Sequence, residues 1–541
     1  METKNIKHRI ALAILAIACF ILLSPKWLFP PAAWVAPIFL IALINQIKPW
    51  KSYVLAVSLL FLSSLVAYYK VMPFPGIFFV IMVLIMSLQT AVPFWLNRLL
   101  YPRLMGWKKT LVLPVALVAF EYINSFGGGG TWGSLAYTQV SNFHLIQTAS
   151  LTGIWGITFL IGWFASIFVW VMDEHWNWTT VSKTVVFFGA TLLSLLLYGL
   201  IKTNPYFSGA QKTVRVAGIT GSNIAIIQSM YEDVFGKWID VKEEELSQTS
   251  PELAELNKGF VQYVEDPFDQ KFKKTRLKLT ALQDSLLARS GKEAAAGAKI
   301  ISWSEALTFV IKSEEEELIK RGQSFARENH VYFLMTMASI TPGKVEIGAK
   351  FMENKAILIG PSGQTLNVFF KNRPVPVVEP SVAGNGYVPV TDTPFGKLAT
   401  SICYDADFPQ LMQQVGGQEA DILFLPSGDW KEISPYHAQM AVVRAIENGV
   451  SLLRTVSGAQ SIATDFHGRI IGSRNYYDDG EKALVAYLPV KGINTVYGLI
   501  GDALAWLCIA GLILLLVFSF LNRKITPSNK FLISNQWSWR S

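Results

Sequence analysis

From Ile10 to about Ile201 the chain is a succession of apolar runs broken by short polar or proline-rich joints. They lie near residues 8–24, 33–47, 53–72, 77–97, 108–122, 152–172 and 185–201. An eighth run, LIGDALAWLCIAGLILLLVFSFL, lies near 499–521. Such runs predict bilayer-crossing helices, although several are shorter than the roughly 20 residues a perpendicular span needs. No small-residue cleavage site follows the first run before SPKWLFPP, so it reads as a retained span and not as a signal peptide. Lys and Arg in the joints set the orientation. Lys4, Lys7 and Arg9, then Lys48 and Lys51, then Arg98, Arg103, Lys108 and Lys109, and finally Arg523 and Lys524 fall on one face, read as cytoplasmic. The intervening joints hold Lys26, Lys70 and, from Glu121 to Ser150, no basic residue, and DEHWNWTTVSK is the joint that fits least well. Seven spans then place residues from about 203 to 495 outside. The organisation expected is a membrane domain at 1–205, an extracytoplasmic domain at 206–494, a last span at 495–525 and a cytoplasmic tail at 526–541.

After Thr213 the pattern changes. VRVAGIT alternates as a strand does, and AKIISWSE, VYFLMTMAS, FMENKAILIG, KLATSICY and DILFLPSGD are short β-branched runs of the same kind. Between them lie helical segments such as FKKTRLKLTALQDSLLARS and SPYHAQMAVVRAIENG. Strands mixed with helices over this length predict one α/β domain with a large sheet core. The charged stretches EEEELIKRG and KEEEL read as solvated helix faces. Between the fifth and sixth apolar runs, GGGGTWGSLAYTQVSNFHLIQTAS carries no charge and four consecutive glycines. It fits a flexible surface loop or a segment re-entering the membrane beside a cleft, and composition favours neither.

Composition agrees with a membrane protein. Of 541 residues 51% are hydrophobic and only 16% charged, below the roughly one quarter of soluble domains. The net charge of +8 sits in loops between apolar runs, which points to topology and away from nucleic acid. Three cysteines without a C-x-x-C pair suggest neither a zinc ribbon nor a redox dithiol, and exclude a disulfide framework. Cys19 and Cys508 lie inside apolar runs and read as small buried hydrophobes, whereas Cys403 falls in a mixed region at the end of KLATSIC.

A thiol attacks only as thiolate, so Cys403 needs a base or a positive neighbour. Glu305 follows the apolar strand KIISW, and Lys371 follows VFF, with Glu379 beyond a proline-stiffened turn. A glutamate can take the thiol proton and a lysine can stabilise an oxyanion. Each alone reads as an ordinary strand-end charge. His437 and His467 have no partner at metal spacing and read as a helix-surface and a turn histidine. No P-loop or dinucleotide fingerprint is present, and neither a metal nor an organic cofactor is expected.

Glu, Lys and Cys in that order, each closing an apolar strand, resemble the nitrilase (carbon–nitrogen hydrolase) superfamily. W-S-E is similar to its W-P-E, F-K-N-R-P-V-P-V-V-E to its Y-x-K-x-x-L-V-P-F-G-E, and I-C-Y-D to its I-C-Y-E. The resemblance runs from about Thr213 to Pro489. Seven spans before the domain and one after resemble the apolipoprotein N-acyltransferase branch, and TWGSLAYTQ, with Trp132, is similar to its F-P-W-x-x-x-G-Y-S-Q segment. What this implies is a four-layer α-β-β-α sandwich on the outer face of a bacterial inner membrane, inserted between transmembrane helices. It implies a ping-pong reaction in which Cys403 takes an acyl chain from a phospholipid, with Glu305 as base and Lys371 steadying the oxyanion. The thioester then passes its acyl group to the N-terminal amine of a diacylated lipoprotein. Glu379, Tyr404, Asp405 and Trp132 match supporting or substrate-facing positions, and a monomer without nucleic-acid partners is expected. The alternatives are a membrane-anchored amidase using the same triad and a non-catalytic lipid-sensing module. Ser304 and Asp405 depart from the family's proline and glutamate, and the region 220–275 is more charged than expected, which bears on substrate range.

Overall fold

Each of the eight apolar runs becomes a helix in the computed structural model, which describes residues 2–204, 206, 211–346 and 348–521. These are α1 (Glu2–Leu22), α2 (Pro30–Ile44), α3 (Pro49–Ala67), α4 (Gly76–Leu100) and α5 (Val112–Asn124). After a four-residue turn of helix, α6 (Ala149–Thr152), come α7 (Ile154–Asp173) and α8 (Trp178–Lys202). Arg523, Lys524 and the expected tail at 526–541 lie outside the described residues. Among the described residues five helices are long and apolar enough to cross a membrane: α3, α4 extended to Arg103, α7, α8 and the last helix, Ala503–Leu521. Helices α1, α2 and α5 do not meet that measure.

Helix α7 is the hub of the bundle, with most of its apolar surface covered by α2, α5 and their neighbours. Helix α8 is the reverse. Phe187, Leu193 and Leu197 point outward, a contiguous apolar face that water penalises and lipid accepts. With the five helices long and apolar enough to cross a membrane, this makes the chain an integral membrane protein.

The polar domain runs β1 (Thr213–Ile219), α9 (Ile224–Phe235), α10 (Pro251–Glu265), α11 (Lys273–Ala295), β2 (Ile300–Trp303), β3 (Phe309–Ile311) and α12 (Glu315–Asn329). Then come β4 (Tyr332–Ile340), β5 (Met352–Ile359), β6 (Thr365–Phe370), β7 (Val390–Thr393) and β8 (Gly396–Thr400). It continues with α13 (Pro409–Gly417), β9 (Ile422–Phe424), β10 (Ser427–Gly428), α14 (Tyr436–Asn448), β11 (Ser451–Arg454), β12 (Val456–Ser457), β13 (Gln460–Thr464), β14 (Ile470–Asn475) and β15 (Ala483–Pro489). A short α15 (Val496–Ile500) leads into α16 (Ala503–Leu521).

The strands form two large sheets. One has the order β15-β1-β2-β4-β5-β6, with β3 paired to β4, and the other β14-β13-β11-β9-β8-β7. Alternation along β1 shows how they stack. Val214 and Val216 pack with Leu398, Phe424 and Leu453 of the second sheet, while Ala217 and Ile219 pack with Leu286 of α11 and Trp303. The far face of the second sheet is covered by α13 and α14. Their apolar side chains, Leu411, Met412 and Val443, join one continuous core with Leu117 of α5 and Trp155 of α7. The helices over that sheet therefore rest directly on the membrane helices. Parallel β8, β9 and β11 aim their C-terminal ends the same way, so the loops after them converge.

Candidate active site

Three of those loops, and two from the first sheet, build one polar cluster. Strand β8 stops at Thr400, three residues earlier than KLATSIC suggests, and Cys403 opens a tight 3-10 turn, Cys403–Asp407. Its φ of +46° lies in the left-handed region, which a residue with a side chain occupies only at a cost of about 1–3 kcal/mol. The surrounding bonds hold it there: Cys403 N–H donates to the Pro426 carbonyl (3.0 Å), and the Asp405 carboxylate accepts from Ile402 N–H (3.2 Å).

Glu305, two residues past β2, and Lys371, directly after β6, meet beside it. Lys371 Nζ donates to Glu305 Oε1 and Glu379 Oε2, each at 2.6 Å, and the lysine is 2% exposed. Asn354 of β5 donates from Nδ2 to both glutamates, at 2.7 and 2.8 Å. Gly428 N–H donates to the other oxygen of Glu305 at 2.7 Å. Burial works against the Lys371 ammonium, but Glu305 and Glu379 outweigh it and hold its pKa well above the ordinary value. Burial likewise works against the Glu379 carboxylate, and Lys371 with the Asn354 and Val375 N–H donors outweighs it, so its pKa is lowered. Burial, then Glu305, push the Cys403 thiol well above its ordinary value against the pull of Lys371. The resting sulfur is a protonated thiol that needs a base, and Sγ lies 3.8 Å from the Gly428 carbonyl and 3.7 Å from Asp429 Oδ1.

Asp405 does not reach the ion cluster. Its carboxyl accepts from Arg373 N–H at 2.7 Å and from Ile402 N–H, tying the turn of Cys403 to the loop of Lys371. Burial raises it to about 7 against the pull of Lys371. The Tyr404 hydroxyl donates to the Gly128 carbonyl, and Trp132 Nε1 donates to the Asp407 carboxylate. Thr131 adds N–H and hydroxyl bonds to the Asp407 carbonyl, at 3.0 and 2.9 Å. The glycine-rich segment is therefore clamped to the turn of the cysteine, and residues 131–139 are buried apart from half-buried Trp132 and exposed Gly133. Gly130 shows why glycine is needed: its φ is +52°, and a Cβ there would stand 2.7 Å from the Asp407 carbonyl oxygen.

Several residues of the cluster escaped the sequence reading. Asn354 had one signal, an amide inside the apolar strand MENKAILI. Asp407, Asp429, His437 and Arg454 had none that separates them from ordinary surface residues. His437 is not on a helix surface: it is buried, with Nδ1 2.9 Å from Asp429 and Nε2 3.1 Å from Asp407. Arg454 Nη2 lies 3.0 Å from both Asp429 oxygens. Burial works against the His437 charge, but Asp429 and Asp407 outweigh it and raise its pKa to about 9. His467 does stand in a turn, yet is buried. Glu315 of EEEELIKRG is not a solvated charge either, since it accepts from buried Lys355 at 2.8 Å. In KEEEL, Glu243 accepts from Tyr476 at 2.8 Å within a short 3-10 turn.

Comparison with known proteins covers both halves of this arrangement. Residues 16–167 match the family described as apolipoprotein N-acyltransferase N-terminal domain, and residues 259–493 match carbon-nitrogen hydrolase. An apolipoprotein N-acyltransferase of Geobacter metallireducens is 25% identical over 451 residues, 78% of this chain and 76% of that one. One of Bradyrhizobium diazoefficiens is 25% identical over 464 residues, 80% and 77% of the two chains. The chain is a divergent member of the apolipoprotein N-acyltransferase family. A deaminated glutathione amidase of Synechocystis is 32% identical over 175 residues, but these make up only 28% of this chain and 62% of that one. Residues 168–258 lie between the two family matches, and they include α9 and much of the charged stretch noted in the sequence.

Proposed function

We propose that the chain is an apolipoprotein N-acyltransferase, moving a fatty acyl chain from a membrane phospholipid to the α-amino group of a diacylated lipoprotein. The observation that carries this is the junction of the two halves. The turn bearing Cys403 is bonded to the uncharged membrane-side segment through Tyr404–Gly128, Asp407–Thr131 and Asp407–Trp132. A nucleophile whose turn is bonded to the membrane half of the chain suits a lipid acyl donor, whereas a soluble amide requires no such seat.

In this reading residues 1–205 are the membrane domain, 206–494 a nitrilase-like four-layer catalytic domain, 495–525 a final span and 526–541 a tail. All eight helices cross the bacterial inner membrane, and the catalytic domain of a monomer faces the periplasm. Glu305 takes the thiol proton as Cys403 attacks the ester carbonyl. Lys371, held charged by Glu305 and Glu379, stabilises the tetrahedral oxyanion. The lysophospholipid leaves with the proton, and a thioester remains on Cys403. The acceptor amine then attacks the thioester, and holding both lipids in one plane supplies the proximity. Tyr404, Asp405 and Trp132 fix the turn and the wall of the site.

The amidase-like match gives a second reading, in which water takes the acyl group. The two separate in one assay: membranes containing the chain, phospholipid labelled in its acyl chain, and a diacylated lipopeptide. Triacylated product that is lost in Cys403→Ala is expected. Labelled free fatty acid without N-acylation would favour the hydrolase.

A further inference from the structure

Behind the cysteine turn, Arg444 of α14 and Tyr137 of the glycine-rich segment are both fully shielded from water. Arg444 Nη1 donates to Glu447 Oε2 at 2.5 Å, and Nη2 donates to the Tyr137 hydroxyl. That hydroxyl lies 2.8 Å from Thr131 Oγ1, which in turn lies 2.9 Å from the Asp407 carbonyl. At the other end Glu447 Oε1 accepts the Ile154 N–H at 2.8 Å, one of the amides left without an intrahelical partner at the start of α7. Hydrogen bonds therefore run unbroken from the hub helix of the membrane bundle to the last residue of the Cys403–Asp407 turn.

This chain has one direction. A guanidinium only donates, so the Tyr137 oxygen accepts from Arg444 and has one hydrogen to give. That hydrogen goes to Thr131 Oγ1, and the single Thr131 hydroxyl hydrogen goes on to the Asp407 carbonyl. The reverse order would turn the Tyr137 hydroxyl hydrogen toward a guanidinium and strip a bond from Asp407. With Arg444 in place both lone pairs of the Asp407 carbonyl are filled, one by the Thr131 hydroxyl and one by the Thr131 N–H at 3.0 Å. Bonds aligned in this way polarise and strengthen one another.

The alignment matters because Cys403 is strained. Its φ of +46° persists only where the surroundings over-determine it. The Cys403 amide and the Asp405 carboxylate fix the near end of the turn, and the Asp407 carbonyl is its anchor at the far end. A turn loosened at Asp407 can relax toward an ordinary φ, which carries the sulfur away from Glu305 and Lys371.

We infer that Arg444 and Tyr137 are positioning residues for Cys403, acting through Thr131 on the carbonyl that closes its turn. This rests on the acyltransferase reading above and adds how the membrane half of the chain sets the place of the nucleophile. The effect falls on the rate of acyl transfer to sulfur and not on how phospholipid is held.

The test reads the first half-reaction of the full chain. Ester phospholipid is diluted to a series of contents in nanodiscs of ether lipid, which has no ester to attack. Mass spectrometry follows acyl groups on Cys403 with time, giving a maximal rate and a half-saturating content. Tyr137→Phe keeps the ring and the Arg444–Glu447 pair but interrupts the chain. Thr131→Val keeps the shape of the side chain and the N–H bond to Asp407 but removes the last link. Each should lower the maximal rate about tenfold, the size of a hydrogen bond to a charged group, and leave the half-saturating content unchanged. Because both cut one chain, the double variant should be no slower than the slower single variant. A folded Thr131→Val with the wild-type maximal rate overturns the inference by itself, even where Tyr137→Phe does not fold. Losses that multiply to about a hundredfold in the double variant, or a change confined to the half-saturating content, overturn it as well. A wild-type chain that gains no acyl group on Cys403 overturns the acyltransferase reading, and this inference with it.

Discussion

Replacing Lys371 by Met removes one ammonium and leaves two carboxylates stranded. In the native site Glu305 and Glu379 each place an oxygen 2.6 Å from Nζ, and all three side chains are nearly or fully shielded from water. Breaking a buried ion pair by deleting one partner costs about 3–5 kcal/mol, because the remaining charge is desolvated without compensation. Here Asn354 and Gly428 N–H still serve the glutamates, so the lower part of that range applies. The pH dependence has a definite sign. Glu379 has a lowered pKa, so its contribution is present above the ordinary carboxylate range and disappears as pH falls through its native value. Lys371 has a raised pKa, so its contribution is complete below the ordinary lysine range and disappears only as pH rises through its native value. The stability gap between wild type and K371M should therefore form a plateau across neutral pH and narrow in acid. Denaturant or thermal unfolding in detergent, measured over a pH series, reads this directly, and acyl-enzyme formation should fall roughly 10²–10³-fold in parallel. A K371M protein as stable as wild type at neutral pH, or a gap that widens in acid, would refute the electrostatic argument.

The remaining predictions concern the supports of the site. Asn354→Ala should cost about 1–3 kcal/mol for each glutamate left short of a donor, seen as a lower melting temperature with slower acylation. Trp132→Phe keeps an aromatic ring, smaller than the indole, but removes the N–H that donates to Asp407; a loss of about 1.5–3 kcal/mol is expected, with faster amide hydrogen exchange across 128–136. Gly130→Ala should be worse for that segment, since φ +52° and the Asp407 carbonyl both oppose a side chain, and exchange should rise there while the sheets stay protected. For His437, whose pKa is raised to about 9, the stabilisation is fully present below the unfolded value and is lost as pH rises through about 9. It amounts to about 3 kcal/mol, so the melting-temperature gap between wild type and His437→Gln should close from neutral pH to above pH ~9.

Much of the scaffold could be read along the chain because it rests on periodicity. Apolar runs became α1–α5, α7, α8 and α16, and β-branched runs became β1, β2, β4 and β5 at the expected places. Glu305, Lys371 and Cys403 could be placed at strand ends, and it was their order, through the resemblance to the nitrilase superfamily, that named them as a triad. Glu379 joined them through the proline-stiffened turn, and Trp132 through its motif. The missing residues share a reason. Asp407, Asp429, His437 and Arg454 acquire their meaning only when the ends of β8, β9, β11 and α14 converge, and nothing local to any of them records that convergence. His437 sits on an amphipathic helix whose polar side would face water in an isolated sheet domain. The loops that converge on it, with Asp407, Asp429 and Arg454, and Trp132 of the glycine-rich segment cover it instead, and a surface histidine becomes a buried one. The glycine-rich segment packs against the cysteine turn in the same way, a contact that its own composition does not record.

The central claim is that Cys403 carries the acyl group between two lipids. Mass spectrometry of the chain after brief exposure to phospholipid, with no acceptor present, tests it most directly. The account predicts one acyl chain on the peptide containing Cys403, labile to neutral hydroxylamine as a thioester is, and discharged when diacylated lipopeptide is added. An acyl chain on another residue, or acyl transfer that proceeds while Cys403 stays free, would contradict it.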